Sequence, residues 1–231
     1  LVGQLSASLA HEISQPVQTM QACLEVVRFR EKGGDQNPVR AKDLDRLEQQ
    51  AKRLAKLVKT IRSTVREGQK DHDECIEITN LLHEVQDLMK DRLLSVRAKL
   101  EMQCIPPDLT VTWNSVHITQ VLVNLMSNAI DAIEPLSERW IRIDATELSR
   151  GGIRITCTDS GRGIPAPIAK NMFRPLFTTK ANGRGTGLGL GFCKMLVERR
   201  SGTILHNPEC SNTQFVVELP AQSQSTMQSY A

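Results

Sequence analysis

Five short stretches of the 231-residue chain hold residue types able to do chemistry. The first is SASLAHEISQPVQTM, Ser6 to Met20, in which His11 is followed directly by Glu12, then by Gln15 and Pro16. An imidazole beside a carboxylate can act as a nucleophile, although an inert surface histidine fits the stretch taken alone. The second is QVLVNLMSNAIDAI, Gln120 to Ile133, with Asn124 and Asn128 one helical turn apart. Carboxamide oxygens are hard ligands, so the pair can hold Mg2+ together with phosphate oxygens; a pair of satisfied core amides fits the spacing equally well. The third is DSGRGIP, Asp159 to Pro165. Its carboxylate can accept from an exocyclic amine, while Gly161 and Gly163 let the backbone approach a flat ring; a DxGxG stretch is also compatible with a plain turn. The fourth, MFRPLFTTK, ends at Lys180 and spaces Phe173 and Phe177 four apart, as a hinge or pin for a mobile lid would, or as ordinary loop packing would. The fifth is GRGTGLGLG, Gly183 to Gly191, where Gly185, Gly187 and Gly189 alternate with Thr186 and Leu188. Backbone amides opening a helix are a ready phosphate site. The stretch is not a dinucleotide fingerprint, since no strand leads straight into it, and it lacks the GK[ST] of a Walker A loop.

These residues need elements to position them. Val2, Leu5, Leu9, Ile13, Val17, Met20, Leu24 and Val27 recur at three- and four-residue steps and predict an amphipathic helix over 1–32. At roughly 100° per residue His11 lies about 200° from Leu9, on the outward face, with Gln15 one turn further along that face. Pro16 predicts a kink. Gly33, Gly34, Asp35, Asn37 and Pro38 mark a loop. From Ala41 a second helix carries a heptad seam of Leu44, Leu47, Ala51, Leu54, Val58, Ile61 and Val65. Two helices and a short loop form an antiparallel hairpin, and pairing with a second copy would bury its apolar face, which predicts a homodimeric four-helix bundle; packing of the seam on the C-terminal half is the alternative.

Residues 67–74, EGQKDHDE, read as a linker. Beyond it strands and helices mix. The pattern predicts a strand at Cys75 to Ile78, a helix at Leu81 to Leu94 capped by Thr79 or Asn80, and strands at Lys99 to Cys104 and Leu109 to Trp113. An apolar helix follows at Ser115 to Ile133, then a hairpin of Trp140 to Leu148 and Ile153 to Asp159 around Gly151 and Gly152. A helix at Gly187 to Arg200 and strands at Ile204 to His206 and Phe215 to Leu219 complete it. The fold class expected is α+β, with helices on one face of a sheet. The domain organisation expected is 1–70, a helical hairpin; 71–220, the α/β sandwich; and 221–231, a disordered polar tail.

Composition narrows the function classes. The chain is 40% hydrophobic and 24% charged, an ordinary globular balance. Aromatics at 3% argue against base stacking on single-stranded nucleic acid, and a net charge of +3 is too mild to imply DNA. The charge is uneven: residues 1–70 carry 13 Lys+Arg against 8 Asp+Glu, a net of +5 that fits an ordinary solvated face or one that meets an acidic partner. The six cysteines form no CxxC pair and no metal spacing, which fits a reducing cytosol. No apolar run reaches the ~18 residues of a membrane span. The chain opens at Leu1 inside a helical pattern, so an upstream segment of a longer protein is expected.

The order of the five stretches carries more than any of them alone. HEISQP, NLMSNAIDA, DSGRGIP, FRPLFTTK and GTGLGLG follow the series of H, N, G1, F and G2 boxes, and from about Val2 to Pro220 the chain closely resembles the transmitter region of bacterial sensor histidine kinases. The HE-x-x-QP form with F-x-PLFTTK is similar to the subgroup of oxygen- and dicarboxylate-sensing kinases. The resemblance implies a dimerisation and histidine-phosphotransfer hairpin followed by an ATP-binding domain of GHKL (Bergerat) type. It implies His11 as phosphoacceptor, Glu12 orienting the imidazole or taking its proton, and Gln15 at the position linked to phosphatase activity. Asn128 would hold Mg2+, and Asn124 would contact phosphate or metal-bound water. Asp159, with Gly161, Gly163 and Thr213, would read the adenine amino group. Gly185, Thr186, Gly187, Leu188 and Gly189 would line the phosphates, with Lys180 adding charge. The partners implied are a second copy and a response-regulator receiver domain, with no nucleic acid and no membrane contact by this segment, in the cytoplasm. Related GHKL ATPases resemble this chain but carry a glutamate where Asn124 stands, so the resemblance favours transfer to histidine over transfer to water. The chain departs from the family pattern at Ser14, at Gly191-Phe192, at Ser201-Gly202 and in CSNTQF, which lacks the usual glycine before the threonine.

Overall fold

The structure is a computed structural model that describes residues 17–26, 45, 47–48, 50–51, 72–175, 177–180 and 187–221. The chain divides into two compact units, Leu1–Lys70 with Arg174–Leu188, and Asp71–Phe173 with Gly189–Ala231. In the first unit 17–26 is helical (α1), as are 45, 47, 48, 50 and 51 (α2), within the two helices that periodicity predicts. The kink at Pro16, the loop after Gly33, most of the heptad seam and the polar tail lie outside the described residues.

The second unit runs β1 (Glu74–Glu77), α3 (Ile78–Val96), β2 (Lys99–Gln103), β3 (Thr110–Trp113), α4 (Ser115–Ile133), β4 (Trp140–Glu147), β5 (Gly152–Asp159), α5 (Ala166–Ala169), α6 (Gly189–Glu198), β6 (Thr203–His206) and β7 (Thr213–Pro220). Five strands form one sheet in the order β2-β4-β5-β7-β6, and β1 pairs with β3 as a separate ribbon. The β4–β5, β5–β7 and β7–β6 pairs are antiparallel, whereas β2 lies parallel to β4. The strands alternate: Ile141, Ile143, Ile153, Ile155, Val217 and Leu219 are buried, while their neighbours Arg142, Asp144, Arg154, Gln214 and Glu218 are not. That period-two pattern gives the sheet one covered face and one open face. Leu82 and Val85 of α3, Leu122, Leu125, Met126 and Ile133 of α4, and Leu196 of α6 supply the other layer of the core. The core is aliphatic, with Trp113 its one large fully buried aromatic among the described residues.

Two readings of local sequence are corrected. Helix α3 starts three residues earlier than predicted, and neither Thr79 nor Asn80 caps it: the cap is Glu77, which makes no side-chain capping bond. Strand β1 runs straight into the helix, and the Ile78 N–H donates to the Leu109 carbonyl at 2.9 Å, so backbone supplies what a side-chain cap would otherwise supply. The Asn80 amide instead donates to the Glu77 carboxylate at 2.8 Å. Helix α6 is shorter than predicted at both ends: Gly187, at φ 63°, lies outside it, and a turn with Ser201 at φ 59° closes it after Glu198. The short α5, introduced by Pro165, was not anticipated.

Among the described residues no helix is long and apolar enough to cross a membrane.

Candidate functional site

The site grows from the end of β5. Asp159 is its last residue, opposite Thr213, the first residue of β7. The Asp159 carboxylate is 3% exposed. It accepts from the Gly161 N–H at 2.7 Å and from the Thr213 hydroxyl. The turn is tied to β7 from the other side: the Thr213 N–H and the Asn212 amide both donate to the Gly161 carbonyl, each at 3.2 Å. Burial pushes the Asp159 carboxyl up to about 6, and the bonds from Gly161 and Thr213 pull it back down. Near neutral pH it is therefore a desolvated carboxylate with acceptor capacity left over. Glycine is required at 161, where a Cβ would stand 2.6 Å from Asp159 Oδ1 and 2.8 Å from Thr213 Oγ1. Gly163 is required for another reason, its φ of 80°.

A second group of residues sits on α4 and the start of α6. Asn124 and Asn128 are half-buried on α4, so their carboxamides are not the sealed core amides that the apolar run suggested. Gly189, the first residue of α6, faces Asn124: a Cβ there would lie 3.7 Å from Asn124 Oδ1. The amino end of a ten-residue helix thus stands beside a carboxamide, a setting suited to an anion held by backbone amides and side-chain oxygen or nitrogen. One turn into α6, Cys193 is fully buried, its thiol 3.9 Å from the Val121 carbonyl. Burial pushes that thiol up to about 12, with a hydrogen bond to Asn124 opposing. Cys193 therefore behaves as a packing and anchoring group and not as a nucleophile.

Sequence reasoning missed the grip of Arg92 on α4 and the partners of Phe173. Arg92 on α3 donates to Ser127 Oγ and to Asp131 Oδ1, both at 2.7 Å, on either side of Asn128. No local signal marks Arg92, because its partners lie more than thirty residues away. Phe173 meets Phe215 edge to face at 6.3 Å, and Lys194 lies 5.7 Å over the Phe173 ring.

The structure thus brings Asp159, Gly161 and Thr213 into one cluster and Asn124 and Gly189 into another, with Asn128 one turn on from Asn124. Lys180, Gly187 and Leu188 belong to the other compact unit. There the Lys180 N–H donates to Thr178 Oγ1 at 3.1 Å, and Gly187 adopts φ 63°. His11, Glu12, Gln15, Gly185 and Thr186 lie outside the described residues. The donor set fits a purine nucleotide: a buried acceptor for an exocyclic amine, and a helix amino end for phosphate. Hard carboxamide oxygens at Asn124 and Asn128 fit Mg2+.

Comparison with known proteins agrees with that chemistry. Residues 1–70 match the His Kinase A (phospho-acceptor) domain, and residues 113–223 match the family of histidine kinase-, DNA gyrase B- and HSP90-like ATPases. The C4-dicarboxylate transport sensor protein DctB of Rhizobium meliloti (strain 1021) is 30% identical over 220 residues, covering 95% of this chain and 34% of that protein. The catalytic domain of histidine kinase ThkA in a nucleotide-free form is 29% identical with a TM-score of 0.58, covering 64% of this chain and 95% of that one. The structure of ThkA in complex with response regulator protein TrrA superposes with a TM-score of 0.69 over 96% of this chain and 62% of that one, at 23% identity, and so speaks to the fold alone. The chain belongs to the sensor histidine kinases, as a phosphoacceptor-type helical segment followed by a GHKL-type ATP-binding domain. It spans about a third of the length of DctB.

Proposed function

We propose that this chain is the transmitter core of a two-component system: it binds ATP in the second unit, transfers the γ-phosphoryl group to His11, and passes it on to an aspartate of a response-regulator receiver domain. The observation that carries the reading is Asn124 beside Gly189. A carboxamide at the phosphate end can position and donate but cannot deprotonate water, so the site serves transfer to another acceptor better than hydrolysis.

Each part then has a role. Asp159 accepts from the adenine amino group, and Gly161, Gly163 and Thr213 shape its surroundings. Gly185, Thr186, Gly187, Leu188 and Gly189 line the phosphates and Lys180 adds positive charge. Asn128, assisted by Asn124, holds Mg2+, which when bound neutralises phosphate charge. His11 is the nucleophile, Glu12 orients its ring or takes its proton, and Gln15 serves any dephosphorylation of the partner. Transfer of this kind is mostly positioning and charge neutralisation. The reading divides the chain into 1–70 for dimerisation and phosphotransfer, 71–220 for ATP binding and 221–231 as a tail. The seam of the second helix supports a homodimer, and the net positive charge of 1–70 supports docking of an acidic receiver.

The test is incubation with [γ-32P]ATP and Mg2+. The expected result is an acid-labile, base-stable label on the protein that is absent from His11→Gln. Label persisting in His11→Gln would remove the phosphoacceptor assignment. Steady phosphate release without labelled protein would make the chain an ATPase, and nucleotide binding with neither would make it a nucleotide-responsive scaffold.

A further inference from the structure

The last three residues of the 67–74 linker stretch, His72, Asp73 and Glu74, lie within the second unit and are each held by a different side chain. The His72 carbonyl accepts from the Asn114 amide at 3.4 Å. The Asp73 carboxylate pairs with the Arg200 guanidinium, the two side chains being 28% and 16% exposed. Glu74 accepts from the Ser115 hydroxyl. These holders are not scattered. Asn114 and Ser115 open α4, with the other end of the Asn114 carboxamide capping the helix by accepting from the His117 N–H at 3.0 Å. Arg200 follows the end of α6.

The backbone that presents Arg200 has little freedom. The N–H groups of Arg200, Ser201 and Gly202 donate back to Val197, Glu198 and Val197. Ser201 sits at φ 59°, and a Cβ on Gly202 would come within 2.7 Å of the Glu218 carbonyl. Further along, the same two helices carry the proposed nucleotide groups, Asn124 midway through α4 and Gly189 at the amino end of α6. Each helix spans about 15 Å between its linker contact and its nucleotide contact, at 1.5 Å per residue. Cys193, against Val121 and Asn124, ties the two helices together close to those groups.

We infer that Asp73 and Arg200, with Asn114, are positioning residues for phosphoryl transfer: they clamp the linker onto the two helices that hold the nucleotide and thereby fix the direction in which the chain bearing His11 leaves the ATP-binding unit. The inference rests on the kinase reading above. Transfer between separate units depends on how closely the reacting atoms are brought to an in-line approach, and small misplacements far from the chemistry cost large factors in rate. With side chains 28% and 16% exposed, the pair is partly screened by solvent and adds little to folding stability, so its loss should be felt in the path of the linker more than in the fold. None of the three residues needs to touch ATP.

The experiment uses the full 231-residue chain and measures three quantities: the initial rate of His11 labelling at saturating ATP, the KM for ATP, and ADP affinity. Asp73→Asn and Arg200→Gln should each lower the labelling rate about tenfold while KM and ADP affinity stay within about twofold. The charge swap Asp73→Arg with Arg200→Asp should recover most of that loss, since it restores the pair without restoring either residue. Unchanged rates in the single variants overturn the inference. So does a parallel fall in rate and ADP affinity, which would mark plain damage to the fold, and so does a swap no better than the singles. A wild-type chain that binds ADP yet never labels His11 overturns the kinase reading and this inference with it. An active wild type with indifferent variants overturns the inference alone.

Discussion

The Asp159 carboxylate accepts a 2.7 Å hydrogen bond from the backbone N–H of Gly161, two residues further along the same turn. The acid is thus held by its own backbone and by the Thr213 hydroxyl, and no cation stands among the groups that set its ionisation. Burial and these two bonds oppose each other and leave the carboxyl at about 6. In the role proposed for it, a group poised there would accept from an amine at neutral pH and lose that ability on mild acidification.

The pH dependence has a definite sign. Because the folded-state value lies above the ordinary 3.8, Asp159 contributes stability that is fully present below that value and lost as pH rises through about 6. Adenine recognition by Asp159, as proposed, uses the ionised form. ADP affinity should therefore fall about tenfold per pH unit below the Asp159 midpoint. Over the same range the Asp159 contribution to stability of the nucleotide-free protein should grow. Calorimetric titration between pH 5 and 8 checks the first and thermal melts of wild type against Asp159→Asn check the second; flat ADP affinity across that range would contradict the role given to the carboxylate.

Asp159→Asn should keep the fold and lose the nucleotide. A charge-assisted bond to a buried acceptor is worth about 1.5–3 kcal/mol, or roughly 10- to 100-fold in affinity. The neutral amide escapes the desolvation of a buried charge, so the melting temperature of the free protein should not fall. Fluorescence titration with a labelled ADP analogue gives the first quantity and circular dichroism the second.

Gly161→Ala and Gly163→Ala should fail differently. At 161 the new methyl collides with the Asp159 and Thr213 side chains, so the loss should appear mainly in nucleotide affinity. At 163 nothing lies within 4 Å of an added Cβ, but φ is 80°. The cost there should appear mainly as about 1–2 kcal/mol of folding stability. Urea unfolding alongside ADP titration separates the two, and equal losses in both assays for both variants would refute the distinction.

Much of this architecture was readable from the chain, for identifiable reasons. Ser115–Ile133 has the boundaries that its apolar periodicity gives, and the hairpin of β4 and β5 follows from alternation on both sides of Gly151 and Gly152. Both signals are local. The start of α3 was misplaced because its first donor is satisfied by Leu109, thirty-one residues away, and not by a neighbouring side chain. The parallel pairing of β2 with β4 and the separate β1–β3 ribbon join distant segments, and no periodicity encodes them. In the candidate site, residue types in DSGRGIP and NLMSNAIDA gave the chemistry. The Thr213 hydroxyl on Asp159, Gly189 against Asn124 and the grip of Arg92 on α4 exist only after folding.

Arg92 and Asp131 are 46% and 36% exposed, so their bond is solvent-screened. Arg92→Ala should cost under about 1 kcal/mol of stability. Unfolding in urea measures this directly, and a loss of several kcal/mol would mean that the contact with Ser127 and Asp131 organises α4 far more than exposed ion pairs do.

Thr213→Val tests the arrangement around Asp159 most sharply, because it separates ionisation from shape. Valine matches threonine in branching and volume but cannot donate. The Thr213 hydroxyl lowers the Asp159 value, so its removal should move the midpoint for ADP binding upward from about 6. If Thr213 also touches the nucleotide, affinity at pH 8 will drop by a constant factor, which displaces the curve vertically and leaves its midpoint alone. The horizontal shift is then the signature of the hydroxyl acting on the carboxylate. A midpoint unchanged or lowered in Thr213→Val would show that Asp159 is not tuned by Thr213, and would leave burial and the Gly161 N–H as the whole account of its ionisation.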